Sequence, residues 1–108
     1  VTGQDASVEG LQNILLGYQC GTVYKNTNLE ADAASKLAIA LINGEDGSGL
    51  ATATVPDSVT GKDVPSALAT PEWITKDTVS KVIADGFATA ADVCSGDAAK
   101  VCTELGIE

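Results

Sequence analysis

The sequence predicts an α/β fold with a parallel sheet and flanking helices. Three observations carry this. A strand-like start, an amphipathic helix and a second strand-like run follow one another within residues 1–25. An alanine-rich stretch with helical spacing follows, to about Ile42. The 108 residues are 44% hydrophobic and 19% charged, a globular balance and enough for one modest domain.

Val1 to Gly3 reads as the inside of a strand, so the sequence is expected to be a processed or excised piece of a longer chain. Gln4-Asp5-Ala6 reads as a turn. A helix is expected from about Ser7 to Leu16, with Leu11, Ile14 and Leu15 on one face. Either Ser7 or Asp5 can cap it, and Gly17 stops it. Tyr18 to Lys25 is rich in strand-forming residues. Strand, helix and strand with short connections make a βαβ unit, hence two parallel strands and a right-handed crossover.

Thr27 to Glu30 matches the capping-box pattern of a helix start. The helix it opens runs to about Ile42, packs through Leu29, Ala33, Leu37, Ala40 and Leu41, and ends at Gly44. Residues 45–63 carry Gly, Ser, Thr and Asp and read as a loop or loose hairpin. Val64 to Thr70 suits a short strand that Pro71 breaks. Thr75 caps a helix from about Lys76 to Ala84, and Gly86 ends it. Short helical turns are expected around Ala90–Cys94 and Asp97–Leu105.

Composition removes several function classes. The net charge is -9, from 15 acidic and 6 basic residues, so nucleic acid is not an expected partner. No apolar run reaches the roughly 18 residues of a membrane helix. The chain has no His, and so lacks the usual general base near neutral pH. No phosphate-binding glycine loop, nucleophile elbow or calcium-loop pattern occurs, so neither an enzyme nor a cofactor is expected. Three cysteines are present, without metal-ligand spacing. Cys94 and Cys102 are close enough for a local disulfide, the alternative being two reduced thiols. Cys20 reads as a small buried apolar residue.

One constellation remains. In open α/β sheets ligands bind beyond the carboxyl ends of the strands. Asp5 follows the first strand and Lys25 ends the second. In neighbouring parallel strands both side chains emerge at one edge. A carboxylate accepts from hydroxyls and an ammonium donates to them, which suits a neutral polyol. The competing reading makes Asp5 a helix cap and Lys25 a solvated strand end. Trp73 could stack on a sugar face, but suits core or interface packing better.

Gly3-Gln4-Asp5-Ala6 and Thr22-Val23-Tyr24-Lys25, with the stretches Leu29–Gly44, Val64–Pro71 and Thr75–Phe87, resemble the type I periplasmic sugar-binding proteins of ABC importers, in particular the xylose-binding group. The resemblance implies a C-terminal portion of a two-lobe fold. Residues 1–25 would belong to the C-terminal lobe, 26–70 to the N-terminal lobe, and 71–108 to the C-terminal lobe's return with a cysteine-bearing tail. It implies that Asp5 and Lys25 bond sugar hydroxyls of a monosaccharide, xylose or a related aldose. The implied partners are ABC permease subunits and the remainder of the chain's own polypeptide, outside the cytoplasm. The tail from Val93 departs from the Gram-negative pattern and suits an exported lipoprotein of a Gram-positive bacterium. The competing function is the sugar-sensing domain of a LacI-type transcriptional regulator, which shares the fold but works in a reducing compartment.

Overall fold

A computed structural model describes residues 1–107. The chain divides into two compact units: Val1–Lys25 with the stretch from Pro71 onward, and Asn26–Thr70.

In the first unit, strand β1 (Thr2–Gln4) leads through a tight turn into helix α1 (Val8–Leu15). Ser7 caps this helix, its hydroxyl accepting from the Gly10 N–H at 3.2 Å. Leu11, Ile14 and Leu15 are buried, as their helical spacing predicts. Gly17, at φ 82°, lets the chain turn back. Strand β2 (Gly21–Tyr24) is shorter than the expected Tyr18–Lys25 run. The Tyr18 and Gln19 N–H groups are taken by the Asn13 carbonyl, which holds those residues in the turn after α1. Cys20 is exposed, not buried as expected, and is a free thiol. It precedes the strand, so the alternation that buries Thr22 and Tyr24 does not extend to it.

β1 and β2 pair in parallel, Thr2 with Gly21 through Gln4 with Val23. Strand β5 (Glu72–Ile74) lies antiparallel on the other side of β2, Thr22 with Ile74 through Tyr24 with Glu72. The order β1-β2-β5 puts β2 in the centre. The sequence reading missed β5, placing only a break at Pro71 and a cap at Thr75. Thr75 does open the next helical segment: its N–H donates to the Thr78 hydroxyl at 2.9 Å. Helix α3 (Val79–Ala84) follows a 3-10 turn at Lys76–Thr78.

The core gathers Leu11, Ile14 and Leu15 from α1, Tyr24 from β2, Ile74 from β5, and Val79 and Val82 from α3. Helices α4 (Ala90–Val93) and α5 (Ala98–Leu105) close it with Val93, Ala98 and Cys102. Two cross-links fasten this tail. The Gln12 side-chain amide of α1 donates to the Asp92 carbonyl and the Ser95 hydroxyl, both at 3.0 Å. Cys94 and Cys102 form a disulfide, with Cα atoms 5.7 Å apart.

Tyr24 is the largest buried side chain, its ring edge-on to Phe87 at 5.4 Å between centroids. Its hydroxyl has no partner at hydrogen-bond geometry among the described residues. Burial first, and then the negative charge of Asp85, raises its pKa above the ordinary tyrosine value.

The second unit has a thinner core. Helix α2 (Thr27–Ile42) is capped by Asn26, whose side chain accepts from the Asn28 N–H at 3.1 Å. The cap thus falls one residue before the expected Thr27. Among the residues of α2, Ala40 alone is buried; Leu29, Leu37 and Leu41 of the expected packing face are exposed. Residues 45–63 are more ordered than a loop. They hold a 3-10 turn at Ser48–Leu50 and β3 (Ala53–Pro56), which pairs antiparallel with β4 (Asp63–Ser66). The Asp57 carboxylate organises the connecting turn, accepting from the Thr60 hydroxyl and from the N–H groups of Val59 and Thr60 at 3.1 Å. These bonds, the hydroxyl's first, hold its pKa below the usual carboxylate value.

Two stability predictions follow from the first unit. A Cβ at Gly21 would sit 2.5 Å from the Trp73 ring and 2.6 Å from the Ile74 carbonyl oxygen, so β2 and β5 would have to separate. Gly21→Ala should therefore destabilise the protein by about 1–3 kcal/mol in denaturant melts. At Gly3 the nearest atom is the movable end of the Gln19 side chain, so Gly3→Ala is the milder control. Reducing the disulfide, whose cysteines are 8 residues apart, should cost about 2–3 kcal/mol by loop-closure entropy. An unshifted melt under reductant would show that the tail is held by packing alone.

Candidate functional site

The turn after β1 builds the site. Asp5 and Ala6 both lie in the left-handed region, at φ 75° and 46°. Such conformations are costly for residues other than glycine, by about 1–2 kcal/mol each, though Asp is among the more tolerant. Local bonds hold them. The Asp5 N–H donates to the Val23 carbonyl at 2.8 Å, extending the β1–β2 ladder by one step. The Ala6 N–H donates to the buried Thr22 hydroxyl at 3.3 Å, and the Ala6 methyl is fully buried. The turn therefore places a small side chain in the core and a carboxylate outside it.

Lys25 follows the last residue of β2. Its Nζ lies 3.3 Å from Asp5 Oδ1, so the structure brings the two sequence-predicted residues together at the carboxyl ends of the parallel strands. The Asp5 side chain is 69% exposed and that of Lys25 36%, so both polar ends are open to a ligand. As an exposed ion pair alone, the contact would contribute about 0–1 kcal/mol to stability. Helix capping does not occupy Asp5, because Ser7 performs it.

Trp73 is on β5, half exposed, with its ring against Gly21. Val23, its register partner, is two residues before Lys25. The sequence reading did not single out Lys81, which bridges Glu72 at 3.4 Å and Asp85 at 3.1 Å. Bonding to Asp85 is the first cause that raises the Lys81 pKa. The i,i+4 spacing of Lys81 and Asp85 was the available signal.

Two concavities lie elsewhere, within the second unit along α2 and the 46–51 segment. They are lined by apolar residues such as Leu37 and Leu50 and by acidic Asp46 and Glu45. Their walls offer mainly acceptors and an open helix face. Asp5 and Lys25 offer a matched donor and acceptor, and are the stronger candidate on chemistry.

No family model matches the chain. The D-xylose-binding periplasmic protein of Escherichia coli K12 is 40% identical over 88 residues, 81% of this chain and 26% of that protein. The multiple sugar-binding periplasmic receptor ChvE of Rhizobium radiobacter is 34% identical over 92 residues, 85% of this chain and 25% of the receptor. The chain thus spans about a quarter of the length of the curated relatives it matches. In fold it is similar to an ABC transporter solute-binding protein from Clostridium phytofermentans, solved with bound β-D-glucose. The TM-score is 0.70 at 24% identity, over 86% of this chain and 28% of that one. In sequence and in fold, the chain matches a portion of the two-lobe type I periplasmic sugar-binding proteins.

Proposed function

We propose that this chain is part of an extracytoplasmic sugar receptor serving an ABC importer, and that Asp5 and Lys25 bond hydroxyls of its monosaccharide. The observation that carries the reading is the pair itself. An acceptor and a donor stand 3.3 Å apart at the carboxyl ends of two parallel strands, neither committed to helix capping. The strained turn that presents Asp5 adds support, since such conformations cluster at binding sites. The 40% identity to a D-xylose-binding protein favours xylose or a related aldose as ligand.

The same reading assigns the first unit to the C-terminal lobe and Asn26–Thr70 to the N-terminal lobe. Sugar would favour a closed form of the two lobes, which the permease recognises. The Cys94–Cys102 disulfide favours an oxidising compartment and so speaks against the cytosolic regulator.

Calorimetry of the intact protein with D-xylose and D-glucose tests the proposal. Heat of binding is expected with at least one of them, and no heat with any monosaccharide overturns it. Asp5→Gly keeps the left-handed backbone and removes the carboxylate. It should weaken binding by about 1–3 kcal/mol, because a buried sugar hydroxyl loses its acceptor. Unchanged affinity would reduce Asp5 to a surface ion-pair partner.

A further inference from the structure

We infer that Asp5 and Lys25 read a vicinal diol: two hydroxyls on neighbouring ring carbons, set gauche to each other. The inference rests on the sugar-binding reading above and adds which part of the sugar the pair contacts.

The spacing carries it. Lys25 Nζ and Asp5 Oδ1 are 3.3 Å apart. The backbone behind them is fixed, Asp5 by its bond to Val23 and Lys25 by the buried Tyr24 that precedes it. The ammonium only donates and the carboxylate only accepts, whereas a hydroxyl does both. Consider one hydroxyl bonded to both groups at about 2.8 Å. It would see its donor and acceptor about 70° apart, given the 3.3 Å between them. That is well inside the near-tetrahedral spread of a hydroxyl's proton and lone pairs. A single bridging hydroxyl fits poorly unless the ion pair opens.

Two gauche hydroxyls on adjacent carbons fit without opening it. Their oxygens lie about a hydrogen-bond length apart, so the four polar atoms form a near rectangle. Lys25 donates to the first oxygen, the first hydroxyl turns its proton towards the second, and the second donates to Asp5. Such a chain, running from ammonium to carboxylate, is polarised in one direction and each bond strengthens the next. The two charges stay paired throughout, so neither is left uncompensated when water is displaced. Trans-diaxial neighbours hold their oxygens too far apart for this rectangle, as do hydroxyls on opposite sides of the ring.

The test is a set of cycles pairing protein variants with monodeoxy sugars, on the intact protein. The parent is whichever of D-xylose and D-glucose binds. The variants are Asp5→Gly, which tolerates the left-handed turn, and Lys25→Met, which keeps the apolar stem. In the unaltered protein, deoxygenation at two adjacent carbons should each weaken binding about tenfold or more. In Asp5→Gly one of those two losses should nearly vanish, and in Lys25→Met the other. Asp5→Asn and Lys25→Gln serve the same cycle if the deletions bind too weakly to titrate.

Masking of the same carbon by both variants means one bridging hydroxyl and overturns the inference. So does masking at non-adjacent carbons, and so does masking at none. In those cases the parent sugar still binds, and the receptor reading stands. Failure of every parent sugar to bind overturns the receptor reading, and the diol inference falls with it.

Discussion

The pairing of β1 with β2 is the constraint on which the first unit depends. Parallel strands cannot be joined by a short hairpin, so α1 must cross between them and bury Leu11, Ile14 and Leu15 against the sheet. The pairing also brings both carboxyl ends to one edge. Its last bond, from the Asp5 N–H to the Val23 carbonyl, lies beyond the strand itself and fixes where the turn begins. Core and candidate site are thus two ends of one ladder. Thr22 shows this most directly, since its buried hydroxyl holds the Ala6 N–H of the turn.

Around this ladder the remaining elements act as supports. β5 flanks β2 and brings Ile74 into the core. Lys81 of α3 pairs with Glu72 at the start of β5, and Glu72 lies opposite Tyr24, one residue before Lys25. The tail contributes Val93, Ala98 and Cys102, and is tied back through Gln12 and the disulfide. The second unit is built differently. Its hairpin and α2 leave most large apolar side chains exposed, so its regularity rests on local devices such as the Asn26 cap and the Asp57 turn.

Features decided by local chemistry were legible in the sequence. Ser7, Gly17, Gly44 and Gly86 punctuate helices because caps and left-handed stops depend on residue type. The βαβ unit followed from hydrophobic spacing, and with it the shared edge of Asp5 and Lys25. What depended on partners was not legible. Three residues of β5 give no measurable period, and their pairing is set by β2. Cys20 suits a core by type, and its exposure follows from where β2 begins. The face of α2 had correct spacing, yet spacing does not say what covers it. At the site, nothing in the letters Asp and Ala announces two consecutive left-handed residues. The choice between Ser7 and Asp5 as cap needed the geometry.

The contact between Trp73 and Gly21 has an experimental consequence. Trp73 is the one tryptophan in the 108 residues, and its ring lies against the strand that leads to Lys25. It is half exposed, so its indole straddles sheet and solvent. Its fluorescence is therefore a built-in optical reporter of β2–β5 pairing, readable in this chain without an added label.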